Sequence, residues 1–140
     1  MATLNAVEPT REQIKSFLAS HEDGVPIYML NLLKFKQTST YHDGPQVSGA
    51  EAYGRYAKAF GAMLRDNDVQ GVETIFGGNV DRFLIGEGAD EWDAVAIVRY
   101  PDKQSMFDAV SNETYRSFHF HRKAGLAGQL LIACDGSGVF

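Results

Sequence analysis

Pro26-Ile-Tyr-Met-Leu-Asn-Leu-Leu-Lys-Phe35 is apolar at odd and even positions alike, with Asn31 and Lys34 as its polar exceptions. Side chains alternate across a strand, so a strand apolar on both parities has two faces to cover. Upstream, Thr10 and Gln13 have the spacing of a capping box, and Ile14, Phe17 and Leu18 share a helical face. That pattern predicts a helix from Arg11 to about His21. Downstream, residues 37–48 form a long polar interruption containing Tyr41-His-Asp-Gly-Pro45, the kind of loop that often closes over or contributes to a site. Ser48 and Glu51 make a second capping box, opening a helix to about Asn67 with Tyr53, Tyr56, Phe60, Met63 and Leu64 as its buried stripe.

The next part is strand-rich. Val72 to Phe76 reads as a strand, with a bulge expected at Gly77-Gly78 and a continuation over Val80 to Ile85. Gly86 to Asp90 is the predicted turn, and Trp92 to Tyr100 follows, with Ala94-Val-Ala-Ile-Val98 again apolar on both parities. Pro101-Asp102 stops that strand and starts a helix carrying Met106, Phe107 and Val110. Ser111 or Asn112 caps another helix, through Tyr115, Phe118, Arg122 and Ala124 to Gly125. Gly128 to Cys134 is the last strand. A helix followed by β-α-β-β-α-β is an α+β, ferredoxin-like order: an antiparallel sheet with helices on one face. We divide the chain into an N-terminal helical extension, 1–25, a main domain, 26–135, and a tail, 136–140. The apolar second face of the sheet calls for another sheet, most economically that of a second copy, giving a homodimeric α/β barrel.

Composition sets outer bounds. The chain has 140 residues, a net charge of −5 and 44% hydrophobic content, which fits one globular domain. The acidic balance argues against non-specific binding of nucleic acid or anionic membranes. Cys134 is the lone cysteine and has no partner for a disulfide; in an apolar strand it is expected to be an inert hydrophobe. The opening residues lack the basic-then-apolar pattern of a secretory signal, and no apolar run is long enough to span a bilayer. Asn112-Glu-Thr114 is read as a chance glycosylation sequon. A cytoplasmic location is the expectation.

No nucleophile elbow, phosphate loop or dinucleotide fingerprint is present. His119 and His121 are two apart, so on a helix they point roughly 200° away from each other and cannot share one ion. We expect no metal and no cofactor. Tyr115, Phe118, His119 and Arg122 recur at i, i+3, i+4 and i+7, which puts an imidazole and a guanidinium on a core-like stripe. Arg122 either snorkels, pairs with a carboxylate such as Asp93, or projects into a pocket and holds an anionic group. Asn31 is a bonded core amide, makes an edge-strand contact, or orients a ligand. Asp93 and Arg99 share a strand parity, with a surface ion pair as the default reading. Tyr28, Tyr53, Tyr56 and Tyr100 read as core residues with hydroxyls at the rim. The candidate ligand-binding set is Asn31, Tyr56, Asp93, Tyr100 and Arg122, and His119 or His121 is the candidate acid–base group.

Tyr28-Met-Leu-Asn-Leu-Leu-Lys-Phe35 resembles the first-strand motif of the longer members of the family called domain of unknown function (DUF) 1330. The same family is resembled by Leu84-Ile-Gly86, Glu91-Trp-Asp-Ala-Val-Ala-Ile-Val-Arg-Tyr-Pro101, the run from Tyr115 through His121-Arg-Lys-Ala-Gly-Leu126, and Leu130-Leu-Ile-Ala133. The resemblance spans about residues 26 to 134 and implies a dimeric α/β barrel with no established reaction. A looser likeness reaches antibiotic-biosynthesis monooxygenases and haem-degrading enzymes. That likeness implies roles for Asn31, for Tyr100 where those enzymes carry a tryptophan, and for His119 or His121. The 37–48 loop is outside that pattern.

Three functions follow as expectations: a homodimer binding a small polar or anionic organic molecule between sheet and helices, a cofactor-free or haem-degrading oxygenase, and a non-catalytic dimerisation module. No motif assigns a reaction.

Overall fold

A computed structural model describes residues 6–20, 22–88 and 92–138. The elements are α1 (Arg11–Ser20), β1 (Ile27–Phe35), α2 (Gly49–Asp66), β2 (Glu73–Asn79), β3 (Ala94–Tyr100), α3 (Lys103–Ser111), α4 (Glu113–Gly125) and β4 (Leu126–Cys134). The strands form one antiparallel sheet in the order β2-β3-β1-β4, the ferredoxin-like α+β arrangement.

Local chemistry starts the helices where the capping residues predict. Gln13 N–H donates to Thr10 Oγ1 at 3.1 Å and Thr10 N–H returns to Gln13 Oε1 at 2.9 Å. Ser48 caps α2 through Glu51 N–H at 3.1 Å, Asp102 caps α3 through Ser105 N–H at 2.7 Å, and Asn112 caps α4 through Tyr115 N–H at 2.8 Å. The last two caps lie ten residues apart, so the second crossover is two helices meeting at Asn112.

β1 is central, and its odd positions Ile27, Met29 and Leu33 are buried. Ile27 and Met29 join a core with Met63 of α2, Tyr100 of β3, Ala109 of α3, and Tyr115 and Phe118 of α4. The two long helices meet at glycines. A Cβ on Gly125 would lie 2.4 Å from Gly49 O and 2.8 Å from Tyr53 N, so only hydrogen at this position lets α4 reach the start of α2. The opposite parity carries Leu30 and Leu32 of β1, Val95 and Ile97 of β3, Leu130 and Ile132 of β4 and Phe76 of β2 on the other sheet face. There Phe76 and Ile132 are exposed and Leu30, Leu32, Val95, Ile97 and Leu130 are only half-buried. Within one chain this apolar face is incompletely covered.

The structure corrects several expectations. Residues 80–85 do not continue β2. The strand pairing ends at Asn79 opposite Ala94, where β3 begins, and one further bond, Val80 N–H to Asp93 O at 3.0 Å, follows it. Leu84 and Ile85 are 93% and 92% exposed. The register shift in β2 falls between Thr74 and Phe76, whereas Gly77 and Gly78 sit in register with Ala96 and Val95. Trp92 is buried ahead of β3, not within it. β4 starts at Leu126 because α4 runs directly into it. Cys134 is exposed at the far end of an edge strand, not enclosed in an apolar layer. His21 and the Ala89–Asp90 part of the expected turn lie outside the described residues.

Candidate functional site

Asn31 is the one polar side chain among the helix-facing positions of β1. An amide there must be bonded, because an orphaned buried acceptor costs roughly 1–3 kcal/mol. Its Nδ2 donates to Met29 O at 3.2 Å and Ala96 O at 3.3 Å, and its Oδ1 accepts from Gln129 Nε2 at 2.8 Å. Gln129, on β4 opposite Leu33, has the same orientation and is 8% exposed. Its remaining Oε1 accepts from Arg122 Nη2. Amide geometry therefore passes from strand to strand to helix, and aims one edge of the guanidinium.

The other edge of Arg122 meets Glu8 before α1: Nη1 to Oε1 is 3.3 Å, and the arginine side chain is only 12% exposed. The same Oε1 lies 3.4 Å from His119 Nε2 and 4.0 Å from Lys123 Nζ. Residue 6 binds the sheet as well, since Gln129 N–H donates to Ala6 O at 2.8 Å. One turn of α4 thus supplies His119 and Arg122 to a single carboxylate oxygen.

Tyrosines make the neighbouring wall. Tyr56 and Tyr115 share a hydroxyl hydrogen bond of 2.9 Å, and Tyr53, Phe60 and Phe118 pack around Tyr56. Burial pushes the Tyr53 hydroxyl up to about 12, against the opposing pull of Arg122. Burial raises Tyr56 and Tyr100 further, helped by Tyr115. The His119 ring lies 5.3 Å from that of Tyr115, tilted by 42°. Burial holds its pKa below the ordinary imidazole value, Glu8 pulling the other way and Arg122 and Lys123 reinforcing burial. A neutral imidazole beside a guanidinium can accept or relay a proton at neutral pH.

The two histidines separate as helix geometry requires. His119 faces Glu8, whereas His121 Nδ1 lies 2.6 Å from the Tyr41 hydroxyl. The 37–48 loop builds that second contact through its own bonds. Gln46 accepts from Ser39 Oγ and Tyr41 N–H and donates to Tyr41 O, and Arg55 sits over the Tyr41 ring. Burial and then Arg55 lower the pKa of His121.

The structure brings together Asn31, Arg122 and His119, with Tyr56 one residue removed through Tyr115. Tyr100 lies in the same core but pairs with Ile27, four pairs along from the Asn31–Ala96 pair. Asp93 is elsewhere. Its carboxylate accepts from Phe35 N–H at 2.8 Å and lies 3.7 Å from Lys34 Nζ, in a groove of about 550 Å³ shared with Lys36, Ser48 and Asn79. The carboxylate partner of Arg122 is therefore Glu8, not Asp93. Nor does Asp93 pair with Arg99, which donates to Gly71 O and lies over Tyr28. Six residues of strand separate them by about 20 Å. Glu8 and Gln129 were not among the sequence candidates. Among the described residues there is no group of three or more His, Cys, Asp or Glu placed to hold a metal ion, and no helix is long and apolar enough to cross a membrane.

No family model and no curated protein matches the chain. Solved structures do. The RPA0582 protein of Rhodopseudomonas palustris, of unknown function, is 30% identical, with 94% of this chain and 97% of that one covered and a TM-score of 0.81. The chain belongs to the RPA0582 family. A methylated form of RPA0582 aligns over 97% of this chain and 98% of that one at 29% identity and a TM-score of 0.84, so the N-terminal segment and α1 fall within the shared structure. More distant structures share the fold alone. A dimeric ferredoxin-like protein of unknown function from Bacteroides fragilis is 10% identical at a TM-score of 0.51, covering 81% of this chain and 99% of that one. A Caulobacter crescentus protein described as an antibiotic biosynthesis monooxygenase is 12% identical at 0.52, covering 89% and 99%.

Proposed function

We propose that the protein is a cytoplasmic homodimer, each subunit of which binds a small anionic organic molecule between the sheet and α4, with Arg122 as the anchor. The observation carrying this reading is the nearly buried guanidinium, held from behind by Gln129 and Asn31 and met on its other edge by the part-exposed Glu8 carboxylate. A charge withdrawn from water at this depth is costly unless an anion meets it, and a planar guanidinium suits a planar oxyanion. Neutral His119 supplies a proton acceptor or donor beside it. Tyr56 and Tyr100 belong to the apolar wall in this reading, and Asp93 to the separate groove. The uncovered apolar sheet face and the dimeric Bacteroides fragilis structure support the two-copy assembly, and the likeness to the DUF1330 family remains part of the proposal.

Native mass spectrometry of protein purified from its own cells tests it. Twice the 15.4 kDa chain mass plus a retained small molecule that Arg122→Gln loses is the expected result. A bare monomer, or a ligand indifferent to Arg122, refutes it. The oxygenase reading ranks second: His119 and Asn31 do share one site, but Asn31 has both ends of its amide occupied within the protein. A Soret shift on adding haemin, abolished by His119→Ala, would reverse that ranking.

A further inference from the structure

Glu8 is bonded as a ligand would be. Its Oε1 receives Arg122, His119 and Lys123 together, at 3.3, 3.4 and 4.0 Å. The two sides of this contact are unequally secured. Arg122 is 12% exposed and fixed by the Gln129–Asn31 relay, whereas the Glu8 side chain is 44% exposed. Among the described residues, the segment carrying Glu8 meets the sheet through a hydrogen bond from Gln129 N–H, on the outer strand β4, to Ala6 O. Exposed ion pairs and single edge bonds are weak attachments. The fixed half is the receptor and the loosely held half the occupant.

We propose that Glu8 is an internal stand-in for the ligand, that the site takes a small organic monocarboxylate, and that such a ligand displaces residues 6–8 from Arg122 and Gln129. This rests on the assignment of Arg122 as an anion anchor. The charge balance selects the class. One guanidinium edge is free of Gln129, the adjacent imidazole is neutral, and Lys123 stands 4.0 Å off with its side chain 58% exposed and its charge screened by water, so the site compensates one negative charge better than the two of a phosphate monoester. The ring of Tyr115, buried against Tyr56, Phe60 and Phe118, closes the inner side of the site behind His119. Because the segment must leave first, the apparent affinity is reduced by the fraction of molecules in which it is already away.

Sodium benzoate is a suitable probe, with benzamide as its uncharged counterpart and inorganic phosphate as the competing anion, all at constant ionic strength. Amide NMR follows both binding and hydrogen exchange at Gln129, whose N–H loses its acceptor when residue 6 departs. The wild type is expected to bind benzoate over benzamide and phosphate, with faster Gln129 exchange at saturation. Glu8→Gln, an exposed and isosteric change, is expected to bind benzoate about tenfold more tightly. Equal affinities with unchanged Gln129 exchange would overturn the displacement while leaving an Arg122-dependent anion site intact. Binding of benzoate to neither protein, or of benzamide or phosphate equally well, would overturn the carboxylate assignment. The anchor reading would then be decided separately by the ligand retained in native mass spectrometry.

Discussion

Replacing Gln129 by leucine removes both functions of one amide while roughly filling its volume. The change leaves Asn31 Oδ1 without its 2.8 Å donor and Arg122 Nη2 without its acceptor. An orphaned acceptor costs roughly 1–3 kcal/mol and a lost bond to a charged group roughly 1.5–3 kcal/mol. Arg122 keeps Glu8, which limits the second loss, so we expect a destabilisation of about 3 kcal/mol. With an unfolding entropy of about 2.1 cal/mol/K per residue over 140 residues, that corresponds to a Tm lowered by about 10 °C. The informative comparison is the double variant Asn31→Leu/Gln129→Leu. Removing both partners of a buried pair leaves no orphaned amide, so the double variant is expected to be about 1–2 kcal/mol more stable than Gln129→Leu alone. Urea and thermal unfolding at fixed protein concentration measure both, concentration mattering because assembly stabilises by mass action. If Gln129→Leu unfolds within about 0.5 kcal/mol of the wild type, or the two losses simply add, the relay does not hold the site together.

Alkali should unfold the protein cooperatively. Tyr53 is raised to about 12, and Tyr56 and Tyr100 are raised further, so the unfolded chain releases protons that the folded one keeps. Each such tyrosine removes about 1.4 kcal/mol of stability per pH unit above about 10. Tyrosinate absorbance should therefore rise together with loss of helical circular dichroism; a gradual titration near pH 10 with the fold intact would contradict the burial of these hydroxyls. At the acid end, His119 and His121 have lowered pKa values. Their contribution is constant above the unfolded value near 6.5 and declines as pH falls below it, because only the unfolded chain takes the protons. Tm should fall below about pH 6.5, less steeply in His119→Gln, and identical profiles would refute the assignment. Gly125→Ala should cost about 3 kcal/mol or more, since its Cβ meets backbone. Gly54→Ala, with open space around its Cβ, should instead gain about 0.5–1 kcal/mol by helix propensity, and comparable denaturation midpoints for the two would show that α2 and α4 do not meet as described.

Local signals were legible where their partners are local. A capping residue bonds an amide three positions away, so Thr10, Ser48, Asp102 and Asn112 mark helix starts from sequence alone. Parity does not choose a face in β1, which is apolar on both; its odd face is the buried one because the helices pack there. Residues 80–85 misled because a strand is made by its neighbour. Val80, Phe83, Leu84 and Ile85 have strand-like composition, but β3 begins only at Ala94, and nothing in residues 80–85 encodes the length of that partner. The bulge at Ile75 has the same origin, since register is a property of the pair, and the glycines two positions on drew attention to the wrong place.

At the site, the residue type was more informative than the partner. Asn31, His119 and Arg122 stood out as polar groups on apolar faces, and the fold gathers them. Gln129 carried the same signal, one amide in an otherwise apolar final strand, and the parity argument applied to Asn31 would have found it. Glu8 carried none. Its contact with Arg122 spans 114 positions, and Val7-Glu8-Pro9 has neither periodicity nor a motif. The Asp93 assignment failed on distance, because equal parity aligns the directions of two side chains without bringing them near. The charge that Arg122 needed was supplied by a segment whose own sequence is unremarkable, and that is the physical reason to treat it as replaceable. A carboxylate serving only to neutralise a buried arginine would be expected from the sheet or the helices packed on it. One delivered by a terminal segment held at a sheet edge can be exchanged for another at little structural cost.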